Sequence, residues 1–250
     1  MAMQQKRAVV VTGGAAGIGA AVARRFADGG CNVYVLDVNA PAEEISGVYY
    51  ILTDLANADD VARALEVVEA SSEHVDVLVN NAGVSFVGTV EDGTEEDWQR
   101  VWNINVMGYV RTTRAVLPLL RKSSVPTIVN VTSCTAQSGF KKRALYSATK
   151  GALESMTRAI AADLVEEGVT VNAVSPGTVN TPFMADLAAR SAEPEAVTRA
   201  FHERQPTGRM VEPDEVALAV EFLAHPHNRS ATGTVLTIDG GMDGLHITDA

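Results

Sequence analysis

The residues of this chain best suited to chemistry are Tyr146 and Lys150, with Ser133 thirteen positions before the tyrosine. A spacing of four places the tyrosine and the lysine on the same face of a helix. A free tyrosine has a pKa of about 10, and a nearby ammonium group lowers that pKa because it favours the phenolate. Lowering the pKa by about 3 units requires roughly 4 kcal/mol of differential stabilisation. The pattern predicts that Tyr146 is a usable acid or base; its plainer interpretation is a partly buried tyrosine beside a solvated lysine.

A glycine-rich segment, Thr12–Gly19, joins the short apolar run Ala8–Val11 to a helical pattern. Glycines allow a tight turn and let backbone N–H groups approach a pyrophosphate at the start of the helix. The spacing is GxxxGxG rather than the common GxGxxG fingerprint. In its position between a strand and a helix, the segment predicts a dinucleotide site, with a merely tight strand–helix connection as the alternative.

A carboxylate, Asp37, ends the second apolar run, Val33–Leu36. A carboxylate at that place can accept hydrogen bonds from the adenosine ribose hydroxyls and repels a 2′-phosphate. No lysine or arginine lies in the glycine loop or directly after Asp37 to neutralise such a phosphate. The sequence therefore favours NAD over NADP, and a capping or loop aspartate is the alternative.

Apolar runs and helical patterns alternate along the whole chain. Strands are expected at 8–11, 33–36, 49–52, 75–79, 127–132, 169–174 and 235–238, and helices at 17–28, 59–69, 95–120, 145–166 and 213–223. Such alternation predicts one α/β domain over 1–250, a doubly wound parallel sheet with helices on both faces. Only 41–46 offers a crossover helix after the second strand, and a very short one. We expect residues 178–208, which contain three prolines, to form a small helical lid.

Composition limits the class of protein. The 250 residues are 46 % hydrophobic and 20 % charged, which suits one large domain with a substantial core. The formal charge of −11 argues against nucleic acid or an anionic membrane as a partner, though not against a local basic pocket. No apolar run approaches the ~20 residues of a membrane span, and no signal peptide is visible. Two cysteines, Cys31 and Cys134, are expected to be small buried thiols in a reducing cytoplasm, and five scattered histidines predict no metal site.

The chain resembles a short-chain dehydrogenase/reductase essentially from end to end. The resemblance rests on TGGAAGIG at 12–19, NNAG at 80–83, Asn105 within NVMG, the set Ser133, Tyr146 and Lys150, PGTVNT at 176–181 and DGG at 239–241. It implies a Rossmann-type fold with a seven-stranded parallel sheet and an NAD-dependent dehydrogenase. It also implies a homotetramer that uses the helices 95–120 and 145–166 as one interface and the C-terminal segment as another.

The resemblance implies roles for individual residues. Tyr146 would exchange a proton with the substrate oxygen while hydride passes to or from the nicotinamide C4. Lys150 would lower the tyrosine pKa and bind the nicotinamide ribose, Ser133 would hydrogen-bond the substrate oxygen, and Asn105 would position a water in a proton relay. The expected cofactor contacts are Gly13, Ala16, Gly17, Ile18, Gly19, Asp37, Asp54, Leu55, Asn81, Ala82, Gly83, Tyr146, Lys150, Pro176, Gly177, Val179 and Thr181.

Within the family, the chain is most similar to the branch whose members act on 3-hydroxybutyrate and on 2-keto-3-deoxy sugar acids. In that branch, arginines at the positions of Arg143, Arg190 and Arg204 resemble a cluster that binds the substrate carboxylate. An arginine fork binds a carboxylate bidentately, whereas the alternative for each is a surface arginine paired with a nearby acid. The expected substrate contacts are Ser133, Arg143, Tyr146, Arg190, Arg204 and Gln205.

These observations predict an NAD-dependent oxidoreductase for a secondary alcohol or ketone of a small carboxylated molecule. The candidates are a hydroxy acid such as 3-hydroxybutyrate and a sugar-derived acid. A broader carbonyl reductase or a 3-oxoacyl-carrier-protein reductase is a second hypothesis, and Asp37 counts against it because such reductases usually take NADPH. A non-catalytic NAD-binding module is a third, which the intact set Asn105, Ser133, Tyr146 and Lys150 disfavours.

Overall fold

The computed structural model describes residues 6–245, and within them the strands form one seven-stranded parallel sheet. The strands are β1 (Ala8–Thr12), β2 (Asn32–Asp37), β3 (Val48–Leu52), β4 (Val77–Asn80), β5 (Thr127–Val131), β6 (Thr170–Pro176) and β7 (Val235–Ile238). Their order across the sheet is β3-β2-β1-β4-β5-β6-β7, and every neighbouring pair is parallel. The expected Rossmann-type, doubly wound fold is confirmed.

The helices cover both faces of the sheet. They are α1 (Gly17–Asp28), α2 (Ala58–Ser71), α3 (Glu95–Trp102), α4 (Gly108–Leu120), α5 (Ala144–Leu164), α6 (Pro182–Ala189), α7 (Pro194–Glu203) and α8 (Pro213–Leu223). Capping residues set several of the starts: the Asn57 side chain accepts from two N–H groups of α2, and Thr94 forms a capping box with Asp97 in α3. The last three helices begin with proline, which the first helical turn accommodates because it needs no N–H donor there.

The central strands are buried on both faces, which explains their continuous apolar runs. Every residue of β1, β4, β5 and β6 is buried, whereas the edge strands β3 and β7 are half-exposed. Side chains alternate between the two faces, so Val9 and Val11 pack towards α1 and α8. Val10 and Leu78 pack on the other face, against α2, α4 and α5.

Three segments differ from the sequence-based expectations or refine them. Residues 41–46 form bends and no helix, because so short a segment gains too few hydrogen bonds to offset helix nucleation. The expected single helix over 95–120 contains a π-helical turn, Asn103–Met107, between α3 and α4. Residues 178–208, which are expected to form a helical lid, contain two short helices, α6 and α7, and their action as a lid stays a prediction. Within residues 6–245, no helix combines the length and apolarity that crossing a membrane requires.

Candidate active site

Four segments that follow neighbouring strands meet at the carboxyl ends of the central strands. The glycine loop follows β1, Asn81–Gly83 follows β4, Ser133 lies just after β5, and Gly177 follows β6. The strand order reverses between β1 and β4, and open α/β sheets bind ligands at such a switch point. A cavity of about 230 Å³ opens there, and the predicted site residues that line it are Ile18, Asn81, Gly83, Ser133, Arg143, Tyr146, Lys150, Pro176, Gly177, Val179, Thr181 and Arg204.

The glycine loop approaches its neighbours more closely than any side chain would permit. Gly13 has a φ of +67°, and a Cβ there would lie 2.7 Å from the Cα of Ala82. A Cβ on Gly19 would lie only 2.1 Å from the carbonyl oxygen of Gly13. Ala16 precedes α1 and supplies no side-chain cap, so no capping side chain occupies the first N–H groups of the helix. The loop therefore fits the pyrophosphate of a dinucleotide, which needs backbone donors without side chains in the way.

Asn81 holds this loop in place. Its Nδ2 donates to the carbonyl oxygens of Thr12 (3.0 Å) and Gly13 (2.9 Å). The Thr12 hydroxyl in turn accepts from the backbone N–H groups of Asn81 (3.0 Å) and Ala82 (3.1 Å). The NNAG segment thus braces the glycine loop, and the side-chain amide of Asn81 is committed to this brace.

The three predicted adenosine contacts, Asp37, Asp54 and Leu55, differ in burial and in hydrogen bonding. Asp37 accepts from the backbone N–H of Ala15 (3.0 Å) through one oxygen and from that of Asn39 (2.9 Å) through the other. Asp54 is exposed and accepts from the N–H of Ala56 (2.9 Å). The side chain of Leu55 packs in the core, which leaves only its backbone to face a cofactor.

Tyr146 lies in the first turn of α5, and its environment differs from the expectation. Burial and the neighbouring Cys134 raise the pKa of Tyr146 to about 12, against the opposing effects of the Arg143 charge and the Ser133 hydroxyl. Lys150 sits 5.6 Å from the Tyr146 ring centroid but donates to the carbonyl oxygen of Val131 at 2.9 Å. Burial lowers the pKa of Lys150 to about 8. Burial is the largest effect on the Tyr146 pKa and Arg143 is the opposing cation, so the expected lowering of that pKa by Lys150 stays a prediction.

Asn105 lies in the π-helical turn and is fully buried. Its Oδ1 accepts from the N–H of Val84 (2.8 Å), and its Nδ2 donates to the Val84 carbonyl oxygen (2.9 Å) and to the Thr149 hydroxyl (3.1 Å). π-helical turns often occur at functional sites, and here the turn lets one side chain join the loop after β4 to the helix of Tyr146. Its predicted part in a proton relay stays a prediction.

Two arginines, Arg143 and Arg204, line the cavity. Arg143, at the start of α5, is half-buried, and its Nη1 donates to the Ser85 hydroxyl at 3.0 Å. Arg204, at the end of α7, is exposed, and its guanidinium lies 5.0 Å from the Phe201 ring centroid. Burial lowers the pKa of Arg143, and the positive charge of Arg204 lowers it further.

Comparison with known proteins now bears on this site. The sequence profile of a family described as enoyl-(acyl carrier protein) reductase matches residues 13–243. A curated relative, dehydrogenase/reductase SDR family member 6 of Rattus norvegicus, is 35 % identical over 245 residues, covering 96 % of this chain and 99 % of the relative. The chain belongs to the short-chain dehydrogenase/reductase family. It is an oxidoreductase that acts on CH–OH groups, and its cofactor is a nicotinamide nucleotide.

Other relatives of this dehydrogenase carry more specific names. L-fucose dehydrogenase of Bos taurus is 35 % identical over 243 residues, with 95 % of this chain and 89 % of the relative covered. The 2-keto-3-deoxy-L-fuconate dehydrogenase of Xanthomonas campestris is also 35 % identical over 243 residues, with 96 % and 80 % covered. Among solved structures, ligand-free aldohexose dehydrogenase of Thermoplasma acidophilum matches with a TM-score of 0.92 at 31 % identity, covering 98 % of this chain and 97 % of that one. The NADP-bound structure of ElxO matches with a TM-score of 0.85 at 28 % identity, covering 95 % and 99 %.

Two predicted substrate residues of the dehydrogenase, Arg190 and Gln205, are not part of the cavity lining. Arg190 is exposed at the end of α6 and is not part of the lining. Gln205 is only 1 % exposed, and its Nε2 donates to the carbonyl oxygen of Arg209 at 2.7 Å. A Cβ on Gly177 would lie 2.6 Å from the Gln205 Oε1, so this amide packs beneath the Pro176–Gly177 segment. Gln205 therefore supports the cavity floor and is a structural residue in this state.

Several residues that line the cavity of the dehydrogenase were not predicted from the sequence. They are Val84, Ser85, Cys134, Phe140, Thr178, Phe183 and Met184. Their neighbours offered a clue, because Val84 and Ser85 follow the NNAG segment directly and Phe183 and Met184 open the lid. Cys134 is buried as expected, and burial together with the charge of Asp243 raises the pKa of its thiol to about 12.

Proposed function

We propose that this dehydrogenase interconverts a secondary alcohol and a ketone on a small sugar-derived acid, with NAD as its cofactor. The observation that carries the proposal is that Tyr146 shares one cavity with two arginines, Arg143 and Arg204. Neither guanidinium lies within 4.0 Å of a carboxylate among residues 6–245. A substrate carboxylate would relieve the repulsion between Arg143 and Arg204. The hydroxyl of the same substrate would then lie within reach of Tyr146 and Ser133.

The residues of the site share the proton chemistry. Ser133 donates a hydrogen bond to the substrate oxygen, and Tyr146 accepts the proton that the alcohol loses on oxidation. Arg143 and Ser133 both lower the pKa of Tyr146 against the effect of burial, so they favour the phenolate that accepts this proton. Lys150 adds a positive charge beside the tyrosine ring from its position on the Val131 carbonyl. When bound, the nicotinamide supplies the hydride acceptor or donor.

The preference for NAD rests on Asp37. Its carboxylate ends β2 and is fixed by the N–H groups of Ala15 and Asn39 beside the glycine loop. A fixed negative charge there repels a 2′-phosphate, and neither 12–19 nor 38–47 contains a lysine or arginine that could neutralise it. The NADP-bound neighbour ElxO makes the choice of cofactor a necessary part of the test.

The substrate class rests on the arginine pair and on the names of similar proteins. The relative from Xanthomonas campestris acts on 2-keto-3-deoxy-L-fuconate, which is a sugar-derived acid. Two other relatives or neighbours are named for L-fucose and for aldohexoses, which are neutral sugars. All are polyhydroxylated, and only the acid uses both Arg143 and Arg204.

The test is a screen for NADH production. The purified enzyme is incubated with NAD and, in separate reactions, with sugar-derived acids, 3-hydroxybutyrate, neutral aldoses such as L-fucose, and simple secondary alcohols, and each is repeated with NADP. We expect kcat/KM to be highest for a sugar-derived acid with NAD. Equal kcat/KM for acids and their matched neutral sugars would remove the carboxylate from the proposal, and a preference for NADP would remove Asp37 as the discriminator.

One observation favours a second candidate, an acyl-carrier-protein reductase. The matching family profile is described as enoyl-(acyl carrier protein) reductase. This candidate predicts that the enzyme oxidises NADPH in the presence of a 3-oxoacyl thioester, whose ketone it would reduce to a CH–OH group. Turnover of such thioesters that exceeds turnover of every sugar acid would favour it over our proposal.

We also propose that the enzyme is a homotetramer. Trp102 on α3 is 40 % exposed and lies in an apolar groove with Trp98 and Met107. On the far side of the fold, Leu218 and Phe222 of α8 are also more than half exposed. The first surface lies within 95–120, a segment expected to form an interface, whereas α8 lies outside the expected segments. Light scattering coupled to size exclusion should give four times the monomer mass of 26.4 kDa, and a monomer would refute the assembly.

A further inference from the structure

A buried carboxylate on α5 lies outside the cavity and takes no part in the chemistry described above. Glu154 is only 5 % exposed and lies one helical turn after Lys150. Burying a carboxylate is costly unless it is paired or hydrogen-bonded, so its partners show what the residue does. Those partners lie next to Ser133.

The main partner of Glu154 is the side-chain amide of Gln137. Nε2 of Gln137 lies 3.1 Å from one carboxylate oxygen of Glu154 and 3.4 Å from the other. The Thr132 hydroxyl lies 3.5 Å from Glu154 but only 3.0 Å from the Val174 carbonyl oxygen, which takes its single hydrogen. Arg158 approaches to 3.9 Å from its largely exposed position. Gln137 is therefore the contact that fixes the carboxylate.

Gln137 ends the short 3₁₀ turn that begins at Ser133. The turn spans Cys134–Ala136; the Ala136 N–H donates to the Ser133 carbonyl oxygen at 2.9 Å, and the Gln137 N–H donates to that of Cys134 at 3.1 Å. The hydrogen bond from the Gln137 side chain to Glu154 therefore fixes the turn that begins at Ser133. This contact comes from the same rigid helix that carries Tyr146 and Lys150.

We propose that Glu154 is a positioning residue that, through Gln137, sets the place of the Ser133 hydroxyl relative to Tyr146. The inference rests on the proposed roles of Ser133 and Tyr146 at the substrate oxygen. A hydroxyl displaced by about 1 Å loses much of its effect on the reaction, since such misplacement can lower the rate by about 100-fold. The Glu154 carboxylate is the acceptor and the Gln137 amide is the donor. The two side chains can therefore be exchanged by mutation while the acceptor and the donor are both kept.

The test exchanges the two side chains. Glu154→Gln alone and Gln137→Glu alone replace the matched pair by two amides or by two carboxylates. The double variant Gln137→Glu/Glu154→Gln restores one acceptor and one donor. We expect Gln137→Glu to lower kcat about tenfold at an unchanged KM for NAD, because two adjacent carboxylates repel and push the turn away. We expect the double variant to regain most of that loss. Arg158→Ala is the matched control and should keep the wild-type kcat.

A second readout does not depend on turnover. Hydrogen exchange of the Ala136 and Gln137 amides reports whether the turn is held. It should accelerate in Gln137→Glu, which removes the donor, and slow again in the double variant. Glu154→Gln keeps a carbonyl acceptor for the Gln137 amide, so exchange there should change little. Unchanged exchange in Gln137→Glu would show that the contact between Glu154 and Gln137 does not hold the turn, whatever the enzyme oxidises. If the double variant shows wild-type hydrogen exchange but a low kcat, the contact between Glu154 and Gln137 holds the turn without positioning Ser133. An absence of turnover by the wild-type enzyme on every substrate would instead contradict the proposed function.

Discussion

The glycine loop of residues 12–19 and the lid of residues 178–208 border the same cavity, yet they hold their functional groups by different means. The loop is fixed by backbone contacts: the Gly13 N–H donates to the Leu36 carbonyl oxygen at 2.8 Å, and Asn81 braces the turn from the other side. The lid presents Arg204 on an exposed side chain that rests on Phe201. Phe201 belongs to a small cluster with Ala188 and Met210, separate from both large cores of the sheet.

The difference separates two kinds of binding. The cofactor side is pre-organised by short-range backbone geometry, so it loses little conformational freedom when a ligand binds. Around α7 the lid packs on a small separate cluster, whereas Val179 near its start belongs to a core of the sheet, so we expect Arg204 to be the more adjustable group. Arg143 lies between these extremes, because it is half-buried and tied to Ser85 on the sheet side. The comparison therefore predicts rigid recognition of the cofactor and adjustable recognition of the substrate.

The largest expected effect lies where the two sides meet. Tyr146→Phe should lower kcat about 10³-fold, because it removes the only proton that the ring can exchange while keeping its shape. NADH binding, followed by fluorescence, should stay at the wild-type value because the loop is unchanged. Wild-type turnover in this variant would show that the site works through some other group.

The rigid side is tested by adding one methyl group. In Gly19→Ala the new Cβ would lie 2.1 Å from the Gly13 carbonyl oxygen, a distance that requires the backbone to move. We expect the Kd for NADH to rise about 100-fold, or about 2.7 kcal/mol, in a calorimetric titration. Gly244→Ala is the matched control, since its Cβ would have no neighbour within 4 Å among residues 6–245. Wild-type affinity in Gly19→Ala would contradict a loop held by close backbone contact.

The contrast between the two sides also explains what the sequence could and could not predict. The α1 bounds of Gly17–Asp28 and the β7 bounds of Val235–Ile238 agree with the expectation, since apolar periodicity and glycine positions are local signals. The side chains of Gln205 and Lys150 were harder, because their partners, Arg209 and Val131, are set by tertiary packing. The raised pKa of Tyr146 follows from burial, which a spacing of four residues along a helix does not reveal.

The adjustable side is tested by comparing its arginines. Arg143→Gln should raise KM for an acidic substrate about 30-fold, because it removes a half-buried charge that is held in place. Arg204→Gln should raise it only about fivefold, because an exposed charge on the lid is screened by solvent. Arg190→Gln is the control and should leave KM unchanged. Neutral sugars should show none of these differences, and equal effects of the first two variants would refute the ranking.

The smallest effect concerns pH and the buried lysine that borders both sides. Burial lowers the pKa of Lys150 from its ordinary 10.5 to about 8, so between these values the unfolded chain binds more protons than the folded one. Stability conferred through this group therefore rises with pH from about 8 to 10.5, by about 1 kcal/mol per pH unit. Urea unfolding of the wild type and Lys150→Met at several pH values isolates this contribution, since the effects of Tyr146 and Cys134 cancel in the difference. Lys122→Met, which removes an exposed lysine, controls for the loss of a charge. If the difference in free energy of unfolding between the wild type and Lys150→Met does not change from pH 8 to 10, Lys150 is solvated. The close packing around Lys150 that lowers its pKa would then be wrong.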